Sequence, residues 1–209
     1  MTKALIVDDH PIVLDACKRA LHGAGILDVS EASSVVDGFR LYRKVKPDII
    51  ITDISMHTGV LGGMSFIRRL RINDKATPIL VFSMHSDPLI VFRTLEAGAT
   101  GYLWKATNSD EFIKAFHKVR GGVRYISHEI ASELAFTEVR GAVNPLRVLT
   151  LREWQTLSLI AVGKSYGAIA DELHVSYKTV ANTAAHIKTK LGARTLPELV
   201  RIGIAHLPS

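Results

Sequence analysis

The sequence predicts two domains, an N-terminal α/β domain built on a doubly wound, five-stranded parallel sheet and a small all-α domain at the C-terminus. Two observations lead to this prediction. In the first 120 residues, short apolar runs rich in β-branched residues alternate with longer amphipathic stretches, a pattern typical of strands covered by helices on both faces. From Thr150 onward, the apolar residues recur only at helical spacing.

The strands of the first domain are predicted from its apolar runs. These runs are Ala4–Val7, Ile49–Ile51, Ile79–Phe82 and Tyr102–Trp104, with a weaker one near Leu27–Val29. Between them, apolar residues recur every three or four positions, as an amphipathic helix requires. Five strands that alternate with five helices predict a parallel sheet, and we place this domain at residues 1–121.

Residues 122–145 interrupt the alternation of strands and helices. The segment Ile126–Ala135 can extend a helix, whereas residues 137–145 (TEVRGAVNP) have the composition of a loop. We therefore predict a partly helical linker over 122–145 and a second domain over 146–209.

Capping residues mark the helices of the second domain. Thr150 and Glu153 form a T-x-x-E capping box, in which each side chain binds a free amide at the start of a helix. A second helix is predicted over Tyr166–Leu173. Ser176 is a good N-cap for a third helix over about 177–191.

Composition restricts the class of protein. Hydrophobic residues make up 47% of the chain and charged residues 22%, which is ordinary for a protein with a sizeable core. No apolar run approaches the roughly 20 residues that span a bilayer, and the N-terminus reaches acidic residues too early for a signal peptide. A single cysteine, Cys17, allows no internal disulfide. We therefore expect a cytoplasmic protein with no membrane partner.

Polar residues follow four of the predicted strands. Asp8 and Asp9 follow the first, Asp53 the third, Ser83 the fourth and Lys105 the fifth. Because the carboxyl ends of parallel strands meet at one edge, these side chains should converge there. Three adjacent carboxylates need a cation, and oxygen ligands suit Mg²⁺. A carboxylate in such a site can attack a phosphoryl group, while a lysine neutralises the transferred charge. Each aspartate alone is more simply a helix cap, so the prediction rests on their combination.

Four sequence strings resemble the receiver domain of bacterial response regulators, which has a flavodoxin-like fold. They are LIVDDHP (5–11), PDIIITDISM (47–56), PILVFS (78–83) and EAGATGYLWK (96–105), and the resemblance covers about residues 3–121. It implies that Asp8, Asp9 and Asp53 hold Mg²⁺, that Asp53 accepts a phosphoryl group from a sensor histidine kinase, and that Lys105 contacts this group.

The same resemblance implies a switch pair. Ser83 would move toward the phosphoryl oxygens, and Tyr102 would turn into the vacated space. Taken alone, Tyr102 is more simply a core aromatic residue. The chain also departs from the family. His57 replaces a common proline, the loop 54–63 is one or two residues longer than usual, and Ala106 replaces a proline, so no cis peptide is expected.

Histidines offer an alternative ligand set at this edge. His10, His57 and His85 all fall near it, and imidazole nitrogen suits transition metals. They lack the paired spacing typical of zinc sites. The sequence therefore favours Mg²⁺ over a transition metal.

The third helix of the second domain has two distinct faces. Val180, Ala184, Ile187 and Leu191 share one face, which should pack against the other helices. No acidic residue occurs between Glu172 and Glu198, as a surface that contacts phosphates requires. The opposite, polar face of this helix suits contact with the major groove. Amphipathicity alone, however, favours a small helical bundle with a solvated outer face.

Residues 149–200 (LTLREWQTLSLIAVGKSYGAIADELHVSYKTVANTAAHIKTKLGARTLPELV) resemble the four-helix LuxR-type helix-turn-helix. The resemblance makes 177–191 the recognition helix. It implies contacts to bases or phosphates from Lys178, Thr179, Asn182 and His186, and contacts to phosphates from Lys188 and Lys190. Ala181 and Thr183 are smaller than is usual in the family, which leaves the sequence preference open.

Together the two resemblances indicate the NarL/FixJ type of response regulator. We therefore expect a transcription regulator that binds double-stranded DNA as a homodimer when phosphorylated and acts on RNA polymerase. A second hypothesis makes the first domain a phosphorylation-independent dimerisation module, because of the unusual 54–63 loop. A third hypothesis is a phosphatase or phosphotransferase. It leaves the second domain unexplained, so we expect no enzyme.

Overall fold

The computed structural model describes residues 1–56, 62–139 and 144–207, which form two compact units, Met1–Phe136 and Thr137–Ser209. We number strands and helices in chain order. The first unit contains β1 (Lys3–Val7), α1 (Pro11–Gly23), β2 (Asp28–Ala32), α2 (Val35–Val45), β3 (Ile49–Thr52), α3 (Gly62–Asn73), β4 (Ile79–Ser83), α4 (Pro88–Glu96), β5 (Gly101–Trp104), α5 (Ser109–Arg120), β6 (Tyr125–Ile126) and most of α6 (His128–Val139). A 3₁₀ turn (Pro145–Val148) then precedes α7 (Leu151–Ala161), α8 (Tyr166–Glu172), α9 (Tyr177–Leu191) and α10 (Leu196–His206).

The sheet of the first unit is parallel throughout, with strand order β2-β1-β3-β4-β5-β6. The doubly wound α/β fold is therefore confirmed. The strand order reverses between β1 and β3, and ligands of such sheets bind at the carboxyl ends of strands on either side of this point.

Two strands differ from the prediction. β2 runs from Asp28 to Ala32, later than the weak apolar run near Leu27–Val29, because an edge strand is only half-buried and tolerates Ser30 and Glu31. The sixth strand was not predicted at all. It has only two residues, Tyr125 and Ile126, and is therefore too short to show a period.

A glycine allows the sixth strand to form. A Cβ atom at Gly101 would lie 2.5 Å from the Val119 side chain and 3.0 Å from the Tyr125 carbonyl oxygen. Glycine at this position therefore lets β5 lie against both α5 and β6.

The core of the first unit lies on both faces of the sheet. On one face, Ile6, Ile51 and Leu80 belong to a buried cluster with Phe112 and Phe116 of α5. The near-continuous burial of the strand residues explains why their sequences are apolar runs rather than alternating patterns.

Part of the predicted linker belongs to the first unit. Residues up to Phe136 belong to the first unit, and β6 and most of α6 lie in this segment. Of the predicted loop 137–145, residues 140–143 lie outside the described residues.

The second unit is helical, as predicted. The capping box is confirmed, since the Thr150 amide donates to Glu153 Oε2 at 2.7 Å and the Glu153 amide donates to Thr150 Oγ1 at 3.3 Å. Ser176 caps α9 by accepting from the Thr179 amide at 3.0 Å. No helix among the described residues is both long enough and apolar enough to cross a bilayer.

Candidate functional site

Strand register brings the predicted site residues to one edge of the sheet. Val7 pairs with Thr52 at the ends of β1 and β3, and the Asp53 amide donates to the Val7 carbonyl oxygen at 3.0 Å. On the other side, the Lys105 amide donates to the Ser83 carbonyl oxygen at 2.8 Å. The residues that immediately follow these strands are therefore neighbours in space although they are far apart in sequence.

The ammonium group of Lys105 joins two of the predicted carboxylates. Its Nζ lies 2.6 Å from Asp8 Oδ2 and 2.7 Å from Asp53 Oδ2, and all three side chains are at most 6% exposed. Burial disfavours the charged ammonium, but hydrogen bonds and attraction from Asp53 and Asp8 outweigh this effect and raise the pKa of Lys105 above its usual value. The lysine is therefore a fixed positive charge between two buried carboxylates.

The Asp53 carboxylate is held by the backbone that follows it. Its Oδ1 accepts hydrogen bonds from the amides of Ile54 at 2.6 Å and Ser55 at 3.2 Å. Gly63, in the first turn of α3, lies directly against this backbone, since a Cβ atom there would be 2.0 Å from the Asp53 carbonyl oxygen. The role of Gly63 could not be predicted from the sequence, because it arises from the packing of α3 against the backbone after Asp53.

The third predicted carboxylate lies beside the first two. Ligand atoms of Asp8, Asp9, His10 and Asp53 all lie within 4.8 Å of one another. His10 Nδ1 lies 3.1 Å from Asp8 Oδ1 and 2.9 Å from Asp9 Oδ1. Three carboxylates at one buried edge offer the hard oxygen ligands that Mg²⁺ prefers.

Of the two predicted histidines that the structure describes, His10 joins this group and His85 does not. His85 instead binds Ser55, with His85 Nε2 and Ser55 Oγ 2.6 Å apart. His57 and the rest of residues 57–61 in the unusual 54–63 loop lie outside the described residues. The bridge between Ser55 and His85 was not predicted. Each residue follows a predicted site residue by two positions, and only the fold brings them together.

Ser83 and Tyr102 both lie beneath this edge. Both are fully buried, and the Tyr102 hydroxyl donates to the His85 carbonyl oxygen at 2.7 Å. Burial raises the pKa of Tyr102 well above its usual value, so its hydroxyl keeps its proton. The Ser83 hydroxyl accepts a long hydrogen bond from the His85 amide, at 3.5 Å. Tyr102 and Ser83 thus contact the same loop after β4.

The second unit presents the polar face predicted on α9. Val180, Ala184 and Ile187 are buried, as the apolar spacing predicted. The side chains predicted to contact bases or phosphates are exposed, namely Lys178, Thr179, Asn182 and His186. Tyr177, at the start of the helix, is also 62% exposed.

The two lysines near the end of α9 are in different situations. Lys188 is half-buried and Lys190 is exposed. Lys190 Nζ lies 2.7 Å from Glu153 Oε2, so Lys190 links α9 to the capping box of α7. Hydrogen bonds from Lys190 and Thr150 outweigh the effect of burial and lower the pKa of Glu153. Lys190 therefore has a structural partner that was not predicted from the sequence.

Comparison with known proteins identifies both units. The family model of the response regulator receiver domain matches residues 4–117, and that of the bacterial regulatory proteins of the luxR family matches residues 147–202. The chain is 37% identical over 202 residues to the methanol utilization control regulatory protein MoxX of Paracoccus denitrificans, covering 97% of this chain and 91% of MoxX. It is 32% identical over 214 residues to the oxygen regulatory protein NreC of Staphylococcus aureus strain JH9, covering 97% and 96% respectively.

Solved structures agree with this assignment. A LuxR-family two-component response regulator from Aurantimonas sp. SI85-9A1 is 33% identical, with a TM-score of 0.60, and covers 66% of this chain and 99% of its own. RcsB from Salmonella enterica serovar Typhimurium, bound to promoter rprA in the presence of the phosphomimetic BeF₃⁻, is 25% identical, with a TM-score of 0.69 and coverage of 96% and 97%.

Proposed function

Because this chain belongs to the two-component response regulators of the NarL/FixJ type, in which a receiver domain precedes a LuxR-type DNA-binding domain, we propose that Asp53 is its phosphoryl acceptor. The donor is a sensor histidine kinase, and the second domain binds promoter DNA through α9. The family consists of DNA-binding regulators rather than enzymes, so the phosphatase hypothesis is set aside.

One observation supports the acceptor role above all others, the position of the Lys105 ammonium between Asp8 and Asp53. A carboxylate oxygen of Asp53 attacks the phosphorus, the bond to the leaving group breaks, and an aspartyl phosphate results. Lys105 offsets negative charge on the transferred group, and the amides of Ile54 and Ser55 fix the orientation of the carboxylate.

We propose that Asp8, Asp9 and Asp53 hold the Mg²⁺ ion. Their oxygens are close together, and Asp8 and Asp53 are only 2% and 3% exposed. Bound by these residues, the ion would offset their negative charge and would supply electrostatic stabilisation for the transferred phosphoryl group. Because two buried carboxylates next to a third repel one another, binding of such a cation is electrostatically favourable.

We further propose that Ser83 and Tyr102 link the acceptor to the loop after β4. Ser83 would bind a phosphoryl oxygen, and Tyr102 already donates to the His85 carbonyl oxygen in that loop. Movement of Ser83 would therefore change the loop that Tyr102 contacts. Phosphorylation would thus shift the protein between two arrangements of Ser83 and this loop. The phosphorylated arrangement would favour a homodimer that occupies two half-sites on double-stranded DNA.

For DNA recognition, we propose base or phosphate contacts from Lys178, Thr179, Asn182 and His186. Their exposure on one face of α9 supports this role. Lys188 and Lys190 would contact phosphates, although Lys190 must do so while paired with Glu153. We also propose that the regulator acts in the cytoplasm, where it meets both promoter DNA and RNA polymerase.

A titration of promoter DNA with and without acetyl phosphate and Mg²⁺ tests this function, together with a mass measurement of the oligomeric state. We expect wild-type protein to gain DNA affinity and dimerise when labelled, and Asp53→Asn to do neither. Label that persists in Asp53→Asn would overturn the acceptor assignment. DNA affinity that is equal for wild type and Asp53→Ala, with and without donor, would favour the phosphorylation-independent dimerisation module.

A further inference from the structure

The first domain contains a cavity directly beside the acceptor. It lies between α1, the carboxyl end of β4 and the start of α5, and its volume is about 480 Å³. This size is in the range of pockets that hold small molecules. Asp53 and Lys105 line it themselves, together with Ser55 and His85. Whatever fills the cavity therefore lies next to the reacting atoms.

Most of the remaining cavity wall is apolar, although His10, Thr107, Asn108 and Ser109 also line it. Ile12 and Met84 lie at its mouth and are 83% and 65% exposed, while Phe82 and Phe112 line its interior. Cys17 also lines the cavity, and burial raises the pKa of its thiol to about 12, so it remains uncharged. Large apolar side chains beside a phosphate site do not stabilise the phosphate itself, because phosphate oxygens require hydrogen bonds. They fit an apolar group attached to the phosphate.

We propose that this cavity is a leaving-group pocket, and that the regulator accepts its phosphoryl group from acyl phosphates with apolar acyl chains more readily than from acetyl phosphate. The inference rests on Asp53 being the acceptor. An Asp53 oxygen attacks the phosphorus, the bond between phosphorus and the acyl oxygen breaks, and the fatty carboxylate leaves with the electron pair. Such an acyl phosphate would be a second phosphoryl donor besides the sensor kinase.

The cavity predicts a dependence on chain length. Each methylene that leaves water for an apolar wall contributes about 0.8 kcal/mol, which corresponds to about fourfold in rate constant when the burial is complete. Hexanoyl phosphate has four more methylenes than acetyl phosphate. Even with partial burial, we expect its second-order rate constant for labelling to be at least about tenfold higher.

The experiment measures the mass of full-length protein over time in acetyl, butyryl and hexanoyl phosphate, with Mg²⁺ present. The readout is the ratio of the hexanoyl to the acetyl rate constant, which cancels general effects on acceptor reactivity. Ala16→Phe fills the cavity from α1, where Ala16 is exposed, and should bring the ratio close to one. Ala131→Phe makes the same change at an exposed position of α6 outside the cavity and should retain the wild-type ratio.

The outcomes separate this inference from the function on which it rests. A ratio that rises with chain length in wild type and in Ala131→Phe, but not in Ala16→Phe, supports the pocket. Equal rate constants for all three donors, with label still lost in Asp53→Asn, would overturn the pocket and leave the acceptor in place. Absence of label from every donor would overturn both.

Discussion

Removal of the Lys105 ammonium should destabilise the first domain when no divalent cation is present. In Lys105→Met, the carboxylates of Asp8 and Asp53 lose the cation that lies 2.6 and 2.7 Å from them, although both remain buried. Loss of one partner from a buried ion pair costs about 3 to 5 kcal/mol. We take about 3 kcal/mol, because the site lies at the sheet edge, where water can reach it when the side chain is shortened.

The effect should be visible in thermal unfolding. For a unit of 136 residues, about 3 kcal/mol corresponds to a fall of about 10 °C in the unfolding midpoint. Mg²⁺ should recover much of this loss, since the ion replaces the missing positive charge and no longer competes with an ammonium group. The stabilisation by Mg²⁺ should therefore be larger in Lys105→Met than in wild type.

Differential scanning calorimetry in EDTA and in Mg²⁺ measures both quantities. Lys114→Met provides the matched control, because Lys114 is 56% exposed and pairs with Glu111 at 3.3 Å on the surface of α5. Such surface pairs contribute at most about 1 kcal/mol. An unfolding midpoint of Lys105→Met in EDTA that equals that of wild type would refute the argument that Lys105 neutralises the site.

Three further predictions concern other features. Gly63→Ala places a methyl group 2.0 Å from the Asp53 carbonyl oxygen, so the backbone there must shift. If this shift raises the activation free energy of labelling by more than about 1.4 kcal/mol, the rate of labelling by acetyl phosphate, measured by mass, should fall at least about tenfold. An unchanged rate would contradict this. Glu153→Gln should cost the second domain at most about 1 kcal/mol at pH 7, because glutamine keeps the capping hydrogen bond and only the ion pair with Lys190 is lost. Because the pKa of Glu153 is lowered by folding, this stability is present above the ordinary carboxyl pKa and is lost as the pH falls through the folded one. The unfolding midpoints of variant and wild type should therefore converge in acid, below the ordinary carboxyl range. Lys178→Ala should weaken binding to all DNA sequences alike and reduce the slope of log K against log salt by about one in anisotropy titrations; an unchanged slope would exclude a phosphate contact.

The sequence predicted those parts of the fold that leave a periodic signal. Buried strands such as β1 and β3 are continuous apolar runs, and the helices of the second domain begin at capping residues that can be recognised in the sequence. β2 and β6 were misplaced or missed because an edge strand is half-polar and a strand of two residues has no period.

The candidate site was predicted where its residues follow strand ends. Asp8, Asp53 and Lys105 could be brought together from topology alone, since parallel strands end at one edge. The bridge between Ser55 and His85 could not be predicted, because it depends on where two loops lie after folding. The same holds for the apolar cavity, whose walls come from α1, β4 and α5.

The short sixth strand has a mechanical consequence. Ile126 pairs with Tyr102, and the Ser127 amide donates to the Tyr102 carbonyl oxygen at 3.3 Å. The stretch of chain that leads toward the DNA-binding domain is thus tethered to the backbone of the residue proposed to sense phosphorylation. A displacement of β5 would therefore alter this hydrogen bond. A change in the hydrogen-exchange rate of the Ser127 amide on phosphorylation would reveal the alteration.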